Sequence, residues 1–154
     1  MVIDEVYKSE IRSWLGDIDF INPFAITLTL KSSNFRENNQ NIRHFLNRLN
    51  QSYLQNSYRR YKKRLTVLVA SEGNGDIRNH HHLIIDNPFL DRDREFVKCI
   101  KDSWNKTFLS LPKIQIEKMI GCPHLFLIIL LFTTIYKIIL KQYTKITLKY
   151  TIHN

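Results

Sequence analysis

Apolar and polar positions along the chain follow two periods. From Pro23 to Lys31, Phe24, Ile26, Leu28 and Leu30 alternate with Ala25, Thr27 and Thr29. A period of two marks a strand with one buried face, and β-branched threonine suits the other face. Leu65–Glu72 reads as a buried strand, and His80–Asp86 as a second. The Gly- and Asn-rich "GNGDIRN" between them is a turn, so the two make a hairpin. Pro112–Met119 alternates again and predicts another strand. Helical spacing appears twice. Ile42, Phe45, Leu46, Leu49, Tyr53 and Leu54 share one helix face; Phe96, Ile100 and Trp104 share another, on a helix started by Asp91 or Asp93. A short helix is expected around Ile3–Leu15, and "SSNFRENNQ" reads as a polar loop.

The 154 residues suffice for one domain. The expected divisions are an N-terminal segment 1–22, a folded region 23–118 and an atypical apolar, basic tail 119–154. Cys99 and Cys122 lie in unlike contexts, which points to free thiols in a reducing compartment. The first twenty residues are polar and acidic rather than signal-like, so a cytoplasmic location is expected. The net charge of +9 favours an anionic partner, either nucleic acid or a membrane surface.

The tail changes composition abruptly. All fourteen acids precede it, and it is mostly Ile, Leu, Phe, Thr, Tyr and Lys. Three readings stay open: a native end to the domain, a shifted reading frame replacing the usual C-terminus, or a membrane anchor. The anchor reading is the weakest. The uncharged stretch Met119–Tyr136 is only eighteen residues long and contains Gly121, Pro123 and His124.

The chemistry concentrates in "SEGNGDIRNHHHLII", Ser71–Ile85. On a strand, His80, His82 and Ile84 share one face, while His81, Leu83 and Ile85 share the other, under the helices. Glu72 ends the preceding strand, so the hairpin can bring its carboxylate to the His80–His82 pair. Two nitrogens and one oxygen with open positions suit Mg²⁺, Mn²⁺ or another divalent ion acting as a Lewis acid. A closed zinc site would need a fourth ligand. The competing reading is a histidine-rich turn with no ion. His81 replaces an apolar residue and is tolerable there only if its nitrogens find partners.

"FAITLTLK", "VLVASEG", "RNHHHLII" and "WNKTF", in that order, resemble the HUH endonuclease superfamily, and within it the rolling-circle replication initiators of filamentous phages and small plasmids. The resemblance covers Pro23 to Met119. It implies an α+β fold, a central antiparallel sheet of about five strands with helices on one face. It implies a metal held by His80, His82 and Glu72, polarising the scissile phosphate of single-stranded DNA at a replication origin. A tyrosine hydroxyl then attacks, leaving a 5′-phosphotyrosine and a free 3′-hydroxyl. A host replication helicase is a further implied partner.

The tyrosine half of such a site is less legible. Tyr136, Tyr143 and Tyr150 lie in the tail, and none has lysine three residues later, as the family's pattern has. Tyr143, with Lys145 two residues on, is the candidate nucleophile. Without a nucleophile the chain would be a catalytically inactive DNA-binding remnant. A DNA-binding role is also expected for Arg59, Arg60, Lys62, Lys63 and Arg64, where Tyr58 and Tyr61 are interleaved with the cations. Cations track phosphates and aromatics stack on bases.

Overall fold

The computed structural model describes residues 9–10, 13, 16–32, 34–72 and 79–120, with Glu72 and residues 147–151 described as backbone only. The strands are β1 (Pro23–Leu30), β2 (Val67–Glu72), β3 (His80–Asp86), β4 (Ser110–Lys118) and β5 (Thr147–Thr151). The helices are α1 (Phe35–Leu54), α2 (Asn56–Tyr61) and α3 (Asp93–Asn105). The architecture is α+β. β4, β1, β3 and β2 lie side by side in that order, all antiparallel, and the backbone of β5 pairs with the outer edge of β2. Most of the expected helix around Ile3–Leu15 lies outside the described residues, as does most of the tail.

Strand alternation builds the main core. Phe24, Ile26, Leu28 and Leu30 of β1, Val67 and Val69 of β2, and Leu83 and Ile85 of β3 all point toward the helices. Phe45 and Leu49 of α1 and Phe96, Ile100 and Trp104 of α3 cover them, each fully buried. Each such side chain contributes about 1.5–3 kcal/mol through removal from water. The rings interlock edge to face, Phe45 against Trp104 at 5.6 Å and Phe24 against Phe96 at 5.3 Å. The Trp104 indole N–H donates to the Leu111 carbonyl at 3.1 Å, so this core residue also fixes the start of β4.

The polar run read as a loop is in fact the first turns of α1. Asn34 caps the helix, its Oδ1 accepting from the Arg36 and Glu37 amides at 2.9 and 3.3 Å. Asn38 and Asn41 then turn inward. Asn38 donates to the Ser32 carbonyl, while Asn41 donates to the Thr107 hydroxyl and accepts from the Leu109 amide. Buried asparagines at helical spacing do the joining that apolar residues do further along, so hydropathy alone hides this part of the helix. α1 stops where Gln55 takes φ 45° and ψ −111°, a conformation strained for a side chain with a Cβ.

At the other end of the sheet a polar network ties the entry of β1 to the exit of β3. The Asp86 carboxylate accepts from the Ile21 and Asn22 amides at 2.9 and 2.7 Å. Asn87, fully buried, accepts from the Tyr53 hydroxyl at 2.7 Å and donates to Asp93. Burial, reinforced by the nearby Glu95 carboxylate, pushes the Tyr53 hydroxyl up to about 12, so it stays a donor.

Candidate metal centre

β3 carries three histidines into two environments. Its neighbours fix which face each meets: Thr29 and Glu72 flank His80 across the two ladders, Leu28 and Ser71 flank His81, and Thr27 and Ala70 flank His82. His80 and His82 are half-buried on the face away from the helices; His81 is buried beneath them.

His81 solves the problem of a polar ring in a core. Its Nε2 lies 3.3 Å from the Asn38 carbonyl and its Nδ1 2.7 Å from the Ser71 hydroxyl. A carbonyl can only accept, so Nε2 carries the proton and donates; Nδ1 then accepts from Ser71. Burial holds the ring well below its ordinary range, at about 4, so it is neutral at physiological pH. Both nitrogens of this neutral ring are satisfied, which permits a histidine where Leu or Val would otherwise stand.

His80 and His82 are oriented differently. Each places Nδ1 3.2 Å from a threonine hydroxyl, His80 on Thr29 and His82 on Thr27. When Nδ1–H donates to such an oxygen, the tautomer is fixed with the Nε2 lone pair as the ligating atom, an arrangement typical of metal-bound histidine. The ring centroids are 6.4 Å apart and the planes 32° from parallel. Two imidazoles sharing one ion at about 2.1 Å per nitrogen bring their centroids to roughly 5 Å. The rings therefore have to rotate toward each other by about an ångström to share an ion, a side-chain movement that leaves the backbone register intact.

Glu72 is the direct cross-strand partner of His80, so the register puts it on the same face as both histidines. Its side chain is outside what is described. Among the described residues no group of three ligating side chains comes together. In donor type and in face, His80, His82 and Glu72 suit a divalent ion; in spacing, the histidine pair is slightly open.

The other expected site residues fall elsewhere. Tyr143 lies outside the described residues. Tyr150 belongs to β5, its backbone opposite Leu68. Arg59 and Arg60 end α2, while Lys62, Lys63 and Arg64 lead into β2 at Val67. Val67 is five residues from Glu72, so the basic run enters β2 about 17 Å along the strand from the Glu72–His80 rung. Arg64 is held there, its guanidinium 5.4 Å over the Tyr58 ring and donating to Asn47 at 3.0 Å. Thr107, of the "WNKTF" motif, is buried on the helix side against Asn41 and the Trp104 carbonyl.

Thr27 and Thr29 are the residues that sequence reasoning did not connect to the site. Their signal was present, two hydroxyls on one face at a spacing of two, matching the spacing of His80 and His82. Only the pairing of β1 with β3 lines the two sets up.

Comparison with protein-family models, curated proteins and solved structures finds no match to the chain. Among the described residues no helix is long and apolar enough to cross a membrane.

Proposed function

We propose that the protein is a metal-dependent nicking and joining protein for single-stranded DNA, of the kind that initiates rolling-circle replication. The observation that carries this reading is the pair His80 and His82, side by side on the sheet face away from the helices, each oriented through Nδ1 by a threonine and with Glu72 in register. A divalent ion, Mg²⁺ or Mn²⁺, supplies Lewis-acid polarisation of a phosphate oxygen when bound there. The protein's own part is to hold the two Nε2 atoms and the Glu72 carboxylate on one face, fix their tautomers through Thr27 and Thr29, and leave His81 neutral beneath. The sheet is taken as five-stranded in this reading, with β5 closing the β2 edge. Tyr143 is the proposed nucleophile: its hydroxyl oxygen bonds to phosphorus as the bond to the 3′ oxygen breaks, and the departing oxygen takes a proton to become a 3′-hydroxyl. This conserves the phosphodiester energy for rejoining.

The test is a single-stranded oligonucleotide with an origin-like hairpin, incubated with the full chain and Mn²⁺. A covalent protein–DNA adduct is expected, lost in Tyr143→Phe and in His80→Ala/His82→Ala. Binding without any adduct would replace the enzyme reading by that of an inactive DNA-binding remnant.

A further inference from the structure

The helix layer, on the opposite side of the sheet from His80 and His82, carries a second group of cationic and aromatic side chains. Two grooves run along the seam between α1 and α3 and share Lys106. One, of about 490 Å³, is lined by Arg48, Arg59 and Lys106, with Gln51, Gln55 and Asp102. The other, of about 630 Å³, continues toward the start of α1 past His44, Asn105 and Phe108, with Glu37 at its rim. From Gln40 to Gln55 the seam follows fifteen residues of helix, about 22 Å.

Three observations make this seam more than a solvated helix surface. First, Arg48 of α1, Arg59 of α2 and Lys106, the residue after α3, line one groove, and among the described residues none of them is held in an ion pair. Of the two acids at the seam, Glu37 already accepts from the Ser32 hydroxyl at 2.7 Å, leaving Asp102 as the one carboxylate inside the cationic groove. Second, Phe108 stands 89 % exposed beside Lys106, an aromatic ring offered to solvent where the core has no use for it. Third, the strained backbone of Gln55, between α1 and α2, lies in the wall of the cationic groove that Arg48 and Arg59 both line.

We infer that the α1–α3 seam is a second site for single-stranded nucleic acid, one that needs no metal, with Arg48, Arg59 and Lys106 on the phosphates and Phe108 stacked on a base. Cations along a groove track a sugar–phosphate backbone, and an exposed aromatic gives a base a π-face; neither requirement depends on sequence. Amide side chains such as Gln51 and Gln55 supply neutral hydrogen bonds along the same path. The inference goes beyond the nicking reading and survives its failure, because the seam faces away from the histidines.

The experiment is fluorescence anisotropy of a labelled twelve-nucleotide oligo(dT) with the full chain in EDTA, between 50 and 200 mM NaCl. For Arg48→Ala/Arg59→Ala/Lys106→Ala, the slope of log affinity against log salt should fall by about 2, at about 0.7 per phosphate contact. Phe108→Ala should weaken binding about fivefold or more and leave the slope unchanged. The control is Arg36→Ala/Arg94→Ala/Lys98→Ala, which removes the same charge from exposed positions outside the seam and should retain most of the affinity. Equal losses in the two triple variants would overturn the inference, as would an unchanged Phe108→Ala. If the seam triple does not fold by circular dichroism, Lys106→Gln and Phe108→Ala decide alone. His80→Ala/His82→Ala should bind in EDTA like the parent chain, so loss of nicking and loss of seam binding are separately read.

Discussion

The two faces of β3 place the same residue type in opposite surroundings. On the helix side, His81 is 2 % exposed, neutral and hydrogen-bonded at both nitrogens. On the other side, His80 and His82 are half-buried, each with Nδ1 beside a threonine hydroxyl of β1. A histidine's role is thus set by what the neighbouring strands put opposite it. Serine and a helix carbonyl satisfy His81 as a packing residue, whereas threonines and a glutamate in register give His80 and His82 the setting on which the proposed metal site rests.

Five variants test this contrast and the structure around it. The helix face should dominate stability. Trp104→Ala should cost about 3–5 kcal/mol in urea denaturation, through a cavity under β1 and loss of the tie to Leu111. A cost below 1 kcal/mol would mean that the core is not packed as described.

The next effect is acid sensitivity. The pKa of His81 is lowered in the folded state, from 6.5 to about 4, so the unfolded chain binds the proton more readily and stability rises with pH across that window. Its contribution is intact above pH 6.5 and is lost as pH falls toward 4, amounting to roughly 3 kcal/mol. His81→Leu should be less stable at pH 7, since Ser71 and the Asn38 carbonyl lose their partner. It should also show a flatter stability profile between pH 6.5 and 4; parallel profiles would assign the acid sensitivity elsewhere.

On the opposite face, His80→Ala/His82→Ala should alter stability by less than about 1 kcal/mol in EDTA. The parent chain should gain about 2.7 kcal/mol at a Mn²⁺ concentration one hundred times the dissociation constant, and the variant nothing. Thr27→Val/Thr29→Val should bind Mn²⁺ about ten- to hundredfold more weakly, by calorimetry, because the imidazoles lose their orienting partners. Equal affinity with and without the threonines would leave the ligand reading of the pair without its support.

The smallest effect belongs to neither face. The Lys118 ammonium and the Asn22 amide hold the Asp93 carboxyl below its usual range, so this contribution is present at neutral pH and fades as pH falls through the lowered value. Lys118 is partly exposed, and Lys118→Met should cost at most about 1 kcal/mol at pH 7 by thermal melting, less in high salt.

Much of the fold was legible because its signals are local. The alternation of Phe24 to Leu30 gave β1 its inward face, and the spacing of Phe96, Ile100 and Trp104 gave α3 its own. The start of α1 was illegible because Asn38 and Asn41 are polar and yet buried, Asn38 donating to the Ser32 carbonyl just before the helix and Asn41 bonded to Thr107 and Leu109 from a distant part of the chain. The candidate site was half legible. A His-x-His spacing on a strand shows which rings share a face, but nothing in it reveals that Thr27 and Thr29 stand opposite them. The seam was illegible for the same reason: Arg48, Arg59 and Lys106 are separated by up to 58 positions in the chain.

Local periodicity was enough for strands β1 to β4, for the apolar faces of α1 and α3, and for the division of three adjacent histidines between two faces, since it is a property of neighbouring residues. Tertiary structure alone decided what each histidine meets, that the basic run of Arg59–Arg64 lies away from the histidine pair, and that Arg48 and Lys106 join Arg59. Those outcomes depend on strand register and helix packing, which couple residues far apart in sequence and leave no local pattern to read.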